Sequence, residues 1–176
     1  MNLISQNCLT GHIYNHYNIP YSNPFIWTVI DFNSMLTLIK NYTEINFNDY
    51  ELIKDDQWNF SIRICNSILV QYVHYKLDLS CNIPTTDKIG NIRYKHIWEY
   101  IIEKYETRLK RQLITNEKPH FCICNFKTIY SDAIYTEDQL HQIENFANVH
   151  ILKGCETLSP YESAIKFIQA FQNKIY

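Results

Sequence analysis

Short apolar runs and stretches with helical spacing follow one another along the chain, and together they predict its secondary structure. The apolar runs predict strands at residues 2–6, 61–65, 68–75, 120–126 and 149–152, while residues 25–30 are compatible with a strand or a buried turn. Apolar residues at helical spacing predict helices at residues 8–17, 31–42, 94–113, 136–147 and 159–173. Residues 43–60 are polar with short strand-like pieces, and residues 76–90 predict a loop.

Local signals sharpen several of these boundaries. Capping patterns mark three helix starts, at Asp31, at Thr136 to Gln139 and at Ser159 to Glu162. The pair Asn66-Ser67 lies between two predicted strands and is compatible with a two-residue hairpin turn, although it lacks the glycine that favours such turns.

The order of the predicted elements indicates the fold class. From residue 94 onwards the order is helix, strand, helix, strand, helix, which is typical of parallel strands covered by helices on both faces. The first strand and helix fit the same arrangement, whereas residues 48–75 look antiparallel. We therefore predict an α/β fold: a three-layer α/β/α sandwich with a mixed, mostly parallel sheet. A length of 176 residues is typical of one domain, here residues 1–176.

Composition and charge narrow the classes of function. The formal net charge is −2 and there is no basic block, so no nucleic-acid partner is expected. No apolar run approaches the roughly 18 residues that a membrane-spanning helix needs, so no integral membrane segment is expected. The N-terminus lacks the features of a secretory signal, which predicts a cytoplasmic location and cysteines that stay thiols.

The cysteines give only a weak metal signal. Cys122 and Cys124 are two residues apart and would share one face of a strand. Structural zinc usually needs four nitrogen or sulfur ligands at recognisable spacings, and such a set is not found in the sequence. No metal and no other cofactor is therefore predicted.

The first strand passes to the first helix through Ser5-Gln6-Asn7-Cys8. Ligands of open α/β sheets bind outside the carboxyl ends of strands, and the free N–H groups of a helix start hold anions. The helix dipole also lowers the pKa of a cysteine placed there, which favours a Cys8 nucleophile with Ser5 and Asn7 near the substrate. The alternative is that Cys8 is a small buried hydrophobe.

His74 lies at the end of the most strongly predicted strand. A histidine at that position can act as a general base at the edge of the sheet. A surface or half-buried histidine without a catalytic role is equally compatible with the pattern.

Two further features are candidates for substrate binding. Lys104, Arg108 and Arg111 form one helical stripe, and two arginines can grip a phosphate or carboxylate, although a charged stripe is usually only a solvated face. Trp27 follows Pro24-Phe25, and its aromatic ring is suited either to lining a pocket or to filling the core.

In this order and spacing, these features resemble a bacterial family described as papain-like cysteine peptidases, and a related family of uncharacterised exopolysaccharide-biosynthesis proteins. The resemblance spans residues 1–126 and rests on short motifs: Asn7 and Cys8; Pro24, Phe25 and Trp27; His74 and Tyr75; Tyr105, Arg108 and Arg111. The peptidase-like family often has His-Asp-Phe where this chain has His74-Tyr75-Lys76, so the exopolysaccharide branch is the more similar. The resemblance implies that Tyr75 lies at the substrate site.

Three functions stay open on the sequence alone. In the first, an enzyme of exopolysaccharide biosynthesis hydrolyses or transfers an acyl group: Cys8 attacks the carbonyl, His74 takes the proton, and backbone N–H groups after Cys8 hold the oxyanion. Arg108 and Arg111 would bind the anionic part of a small-molecule or saccharide-linked substrate. The second is a sugar- or phosphate-group transferase of the same pathway, and the third is a non-catalytic partner in it.

Overall fold

The computed structural model describes residues 2–54, 60–72, 82–86, 92–115, 117–128 and 131–175. The strands of this part of the chain are β1 (Leu3–Ser5), β2 (Val29–Ile30), β3 (Tyr50–Lys54), β4 (Phe60–Ile64), β5 (Ile68–Tyr72), β6 (Asn82–Thr86), β7 (Ile92–His96), β8 (His120–Phe126) and β9 (Val149–Cys155). Its α-helices are α1 (Leu9–His16), α2 (Phe32–Asn41), α3 (Ile97–Thr115), α4 (Glu137–Ile143) and α5 (Pro160–Ile175).

The strands form parallel and antiparallel sheets, which confirms the predicted mixed α/β class. A three-stranded parallel sheet has the order β1-β8-β9, and a four-stranded antiparallel sheet has the order β2-β5-β4-β3. Strands β6 and β7 pair with each other. A hydrogen bond of 2.9 Å from the Ile30 N–H to the Gln6 carbonyl links β2 to the segment that follows β1. Two of the six strand pairings among the described residues are parallel and four are antiparallel, so the expectation of mostly parallel pairing is wrong. Among the described strands, parallel pairing is confined to the sheet that carries the predicted site.

Helices cover both faces of the parallel sheet. Because side chains alternate along a strand, Ile4, Phe121 and Ile123 enter one apolar cluster with α2, α3 and α4. Leu3 and Cys122 point the other way, into a second cluster with α1 and α5. This division produces the α/β/α layering, and it places α1 directly against the sheet from which it emerges.

The predicted helix caps are present. The Asp31 carboxylate accepts hydrogen bonds from the N–H groups of Asn33 and Ser34 at the start of α2. Reciprocal capping-box bonds join Thr136 to Gln139 before α4, and Ser159 to Glu162 before α5. No helix in the described part of the chain is both long and apolar enough to span a membrane.

Several predicted boundaries are wrong. Helix α4 ends at Ile143 and not at residue 147, and β9 continues to Cys155 and not only to residue 152. Helix α3 begins at Ile97 instead of residue 94, because β7 occupies residues 92–96 and pairs with β6 inside the predicted loop. Pro84 lies in β6; a two-stranded ribbon tolerates proline because each strand keeps one unpaired edge. The hairpin turn between β4 and β5 is centred one residue earlier than predicted, on Cys65 and Asn66, whose φ angles are +47° and +57°.

Candidate functional site

Cys8 lies at the carboxyl edge of the parallel sheet. Strand β1 ends at Ser5, and Cys8 is the residue that immediately precedes α1. Its carbonyl accepts a hydrogen bond of 3.4 Å from the His12 N–H, and its side chain is 8% exposed. The predicted transition from strand to helix is therefore correct. It places the thiol outside the carboxyl end of a strand, where open α/β sheets bind their ligands.

Asn7, and not Cys8, caps the helix. The Asn7 Oδ1 accepts a hydrogen bond of 3.1 Å from the Leu9 N–H, and its Nδ2 donates to the Cys124 carbonyl at 2.9 Å. Cys8 makes no side-chain capping bond to α1. The side-chain amide of Asn7 thus ties the start of α1 to the neighbouring strand β8.

The Ser5 hydroxyl closes the same turn from the strand side. Its Oγ donates to the Asn7 carbonyl and accepts a hydrogen bond of 3.2 Å from the Thr10 N–H, while the Thr10 hydroxyl lies 3.1 Å away. Ser5, Asn7 and Thr10 are all buried. We call the side chains of Ser5, Gln6, Asn7 and Thr10 the carboxyl-edge network.

These bonds correct the expected oxyanion site. The N–H groups of Leu9 and Thr10 were expected to face an oxyanion, but they already donate to Asn7 Oδ1 and Ser5 Oγ. Both ends of the Asn7 amide are also engaged. A substrate oxygen at Cys8 would need a different donor.

The thiol does not have the lowered pKa expected from its place at a helix N-terminus. Burial raises the pKa of Cys8 to about 12, since a thiolate in this setting loses its contact with water. Cys8 is therefore protonated at neutral pH, and it becomes a nucleophile only if a base removes its proton as it reacts.

Gln6 is a polar group that the sequence analysis overlooked. Its side chain is fully buried, and its Oε1 accepts a hydrogen bond of 3.3 Å from the Cys124 N–H. Among the residues that the structure describes, its Nε2 has no hydrogen-bond partner. A buried donor without an acceptor is costly and uncommon, so this one calls for an explanation. The sequence held one signal, an amide side chain between an apolar strand and Asn7-Cys8.

Trp27 lies against α1. The six-membered ring of the indole rests on Gly11, so closely that a Cβ at that position would lie 2.5 Å from the Trp27 Cε2. The ring meets His12 edge-on at 4.8 Å between centroids. Gly11 and His12 follow Cys8 by three and four residues, so the indole occupies the face of α1 that carries Cys8.

The two arginines of α3 hold the backbone of the segment that leads to Trp27. Arg108 is buried, its Nη1 donates to the Ile26 carbonyl at 2.8 Å, and its guanidinium lies 5.1 Å from the centre of the Tyr21 ring. Arg111 is exposed and donates to the Tyr21 carbonyl at 3.2 Å. Within the described chain, neither arginine has a carboxylate within ion-pair distance.

An open cavity of about 260 Å³ lies beside Arg111. It is lined by residues at the carboxyl end of α1, by the following turn and by the arginine itself: Tyr14, Asn15, Asn18, Ile19, Pro20, Tyr21 and Arg111. Tyr14 and Asn15, the α1 residues that line this cavity, follow Cys8 by six and seven residues, a separation of about 9–10 Å along the helix. Arg111 and Cys8 thus lie near opposite ends of one helix.

Two predicted site residues, His74 and Tyr75, lie outside the described residues, so the pairing of Cys8 with His74 stays a prediction. The described ranges contain no group of three side chains that could hold a metal ion. A comparison of the chain with models of protein families finds no match, and a comparison with curated proteins finds none either.

Proposed function

We propose that this protein is an enzyme of bacterial surface-polysaccharide synthesis that hydrolyses or transfers an acyl group through Cys8, with His74 as the base. The observation that carries the proposal is the position of the thiol at the carboxyl edge of the parallel sheet, in a turn already capped by Asn7.

The raised pKa of Cys8 defines how the reaction would begin. The thiol is neutral at pH 7, so His74 accepts its proton while the sulfur attacks the acyl carbonyl carbon. The bond from that carbon to the leaving oxygen or nitrogen then breaks, and the leaving group takes the proton from His74. The resulting thioester passes its acyl group to water or to an acceptor hydroxyl.

Gln6 is the donor we assign to the carbonyl oxygen. Its Nε2 is a buried donor with no partner in the described part of the chain, and it lies two residues before Cys8 in sequence. Its Oε1 accepts a hydrogen bond from the Cys124 N–H. A fixed donor of this kind stabilises a developing negative charge without having to reorganise. The N–H groups of Leu9 and Thr10 cannot take this role, because they already donate to Asn7 Oδ1 and Ser5 Oγ.

The test uses p-nitrophenyl acetate and the full chain. We expect release of p-nitrophenolate and an acetyl group on Cys8 by peptide mass spectrometry, both lost in Cys8→Ala and His74→Asn but kept in the control Cys65→Ser. Gln6→Met should slow acetylation by about 10²-fold or more. Acetylation of Cys8 no faster than that of Cys65, or a fully active Cys8→Ala variant, would overturn the mechanism.

The cavity favours a second function, the binding of an anionic sugar or phosphate group. Arg111 is the one charged side chain among the described residues that line it. Thermal unfolding with UDP-glucose and with inorganic phosphate tests this function. Stabilisation that is lost in Arg111→Ala but kept in Lys110→Ala would support a transferase, and no stabilisation would count against it.

A further inference from the structure

Two locally unfavourable residues meet at one contact beside Cys8. Gly11 sits inside α1, where glycine weakens a helix, and Trp27 has a φ angle of +63°, which bulky residues rarely adopt. The contact between the two residues explains both unfavourable features. The indole can lie on the backbone of α1 because position 11 has no Cβ, and the left-handed backbone at position 27 turns it there.

Tyr21 and Arg108 hold Trp27 in this position. The Arg108 Nη1 bonds the Ile26 carbonyl, which belongs to the peptide unit directly before Trp27. The Tyr21 hydroxyl accepts a hydrogen bond of 2.9 Å from the indole Nε1 and donates to Asn15 Oδ1 at 2.7 Å. The Tyr21 ring also lies against the Arg108 guanidinium. The backbone and the indole of Trp27 are therefore fixed by two residues that contact each other.

These bonds also orient the indole along α1. Its nitrogen edge is tied through Tyr21 to Asn15, one turn after Gly11. An indole aligned along α1 in this way has its opposite, benzene edge on the side of Gly11 that leads to Cys8. The low exposure of Cys8, 8%, agrees with this placement.

We propose that the Trp27 indole covers the Cys8 face of α1, and that Arg108 and Tyr21 are positioning residues that hold it there. The cover sets the size of the group that reaches the thiol. Arg108, which the sequence suggested as an anion-binding residue, acts instead through Trp27. This inference rests on the proposed function in taking Cys8 as the reacting group, but its test needs no catalysis.

The first experiment measures alkylation of each cysteine in the full chain, with iodoacetamide as the small reagent and fluorescein-5-maleimide as the bulky one. We expect Trp27→Ala to raise the rate at Cys8 by about tenfold with the bulky reagent and by less with iodoacetamide, since removal of the indole opens the site locally. Cys65, which is partly exposed, should be unchanged. Trp98→Phe, on α3, is the matched control and should leave Cys8 unchanged.

The second experiment asks whether Arg108 and Tyr21 act through the indole. In a Trp58→Phe, Trp98→Phe background, the fluorescence of Trp27 should shift to longer wavelength in Arg108→Lys and in Tyr21→Phe. Lysine keeps the charge but loses the planar fork that meets the carbonyl and the ring. The same variants should speed labelling of Cys8 by the bulky reagent, and neither should add to the effect of Trp27→Ala.

Three outcomes would overturn the inference: an unchanged Cys8 rate in Trp27→Ala, unshifted fluorescence in Arg108→Lys, or equal acceleration at the buried Cys122 and Cys124, which would show general unfolding. Failure of the proposed function looks different. It would leave the Trp27 effect on labelling intact while p-nitrophenyl acetate fails to acetylate Cys8.

Discussion

The two ends of the parallel sheet differ in how they satisfy their polar groups. At the carboxyl end, the carboxyl-edge network consists of neutral side chains that bond mainly to backbone groups, as Asn7 does with Leu9 and Cys124. At the amino end, His120 Nδ1 lies 2.9 Å from His150 Nε2, and the two rings are stacked. The carboxyl-edge network contains no titratable side chain, whereas the amino end is built on two histidines.

The histidine pair shows why the difference matters. At 2.9 Å one ring must donate and the other accept, so the pair holds only one proton between the two facing nitrogens. Burial lowers the pKa of His150 to about 4, helped by the nearby charges of His120 and Lys174, and burial also lowers the pKa of His120 against the opposite effect of Glu117. Acid should therefore weaken the amino end and leave the carboxyl-edge network intact.

The largest effect is expected from breaking the carboxyl-edge network. Asn7→Ala removes two buried hydrogen bonds and leaves the Leu9 N–H and the Cys124 carbonyl without partners, which should lower the free energy of unfolding by about 2–4 kcal/mol. Denaturant unfolding at pH 7 measures it. Asn125→Ala is the matched control, because it also loses two hydrogen bonds to backbone groups, both of them on Tyr135, but is only partly buried. An equal loss in the two variants would show that burial of the network adds nothing.

The second-largest effect on stability is expected from a steric clash between α1 and Trp27. Alanine normally stabilises a helix by about 1 kcal/mol over glycine, but a Cβ at position 11 would lie 2.5 Å from the indole, so Gly11→Ala should lower the free energy of unfolding by about 1–3 kcal/mol. In a Trp27→Ala background the same substitution should become stabilising. A double-mutant cycle from thermal unfolding measures this change of sign. If Gly11→Ala stabilises the wild-type chain, the indole does not rest on α1 as described.

Acid should have a smaller effect, located at the amino end. The unfolded chain protonates His150 near pH 6.5 and the folded chain only near pH 4, so the unfolded state binds more protons as the pH falls through that window. Stability present at pH 7 should therefore decrease by about 1–2 kcal/mol between these pH values, with an allowance for solvent near the partly exposed His120. The free energy of unfolding, measured at steps of pH, should depend less on pH in His150→Gln than in wild type. His141 is exposed, and His141→Gln should follow wild type. A parallel decrease in all three would place the acid sensitivity elsewhere.

The carboxyl end was also the more predictable of the two from sequence. A short apolar strand that passes through Ser5 and Asn7 into a helix predicts both the edge of the sheet and a polar turn, because these patterns act within a few residues. Gln6 contacts a strand residue more than a hundred positions away, and His150 contacts one about thirty positions away. No local sequence pattern predicts contacts over such distances. The helix caps were predicted correctly because a cap such as Asp31 acts on its own helix. The β6–β7 pairing was missed because a proline such as Pro84 fits a strand only where its partner leaves one edge unpaired, and the sequence does not show that edge.

The two arginines of α3 were also only partly predictable from the sequence. Their stripe on α3 was predictable from spacing, but the groups they meet were not, since the carbonyls of Ile26 and Tyr21 approach from a distant loop. A buried guanidinium can satisfy itself on carbonyl oxygens and an aromatic ring as well as on an anion. Residue type alone therefore indicates that Arg108 binds something, and only the fold identifies the Trp27 segment as its contact.

The smallest effect is expected from a charged pair on the same sheet but outside both polar ends. Lys153 Nζ, on β9, lies 2.6 Å from Glu137 Oε2, and their side chains are 56% and 65% exposed. The hydrogen bond lowers the pKa of Glu137 and raises that of Lys153, but water and salt screen exposed pairs of this kind. Lys153→Ala should therefore leave the denaturant midpoint unchanged within error, at low and at high salt. A loss that appears only at low salt would mean that surface charge, and not only buried neutral hydrogen bonds, stabilises this sheet. Short distance would then be as informative as burial, contrary to the difference expected between Asn7→Ala and Asn125→Ala.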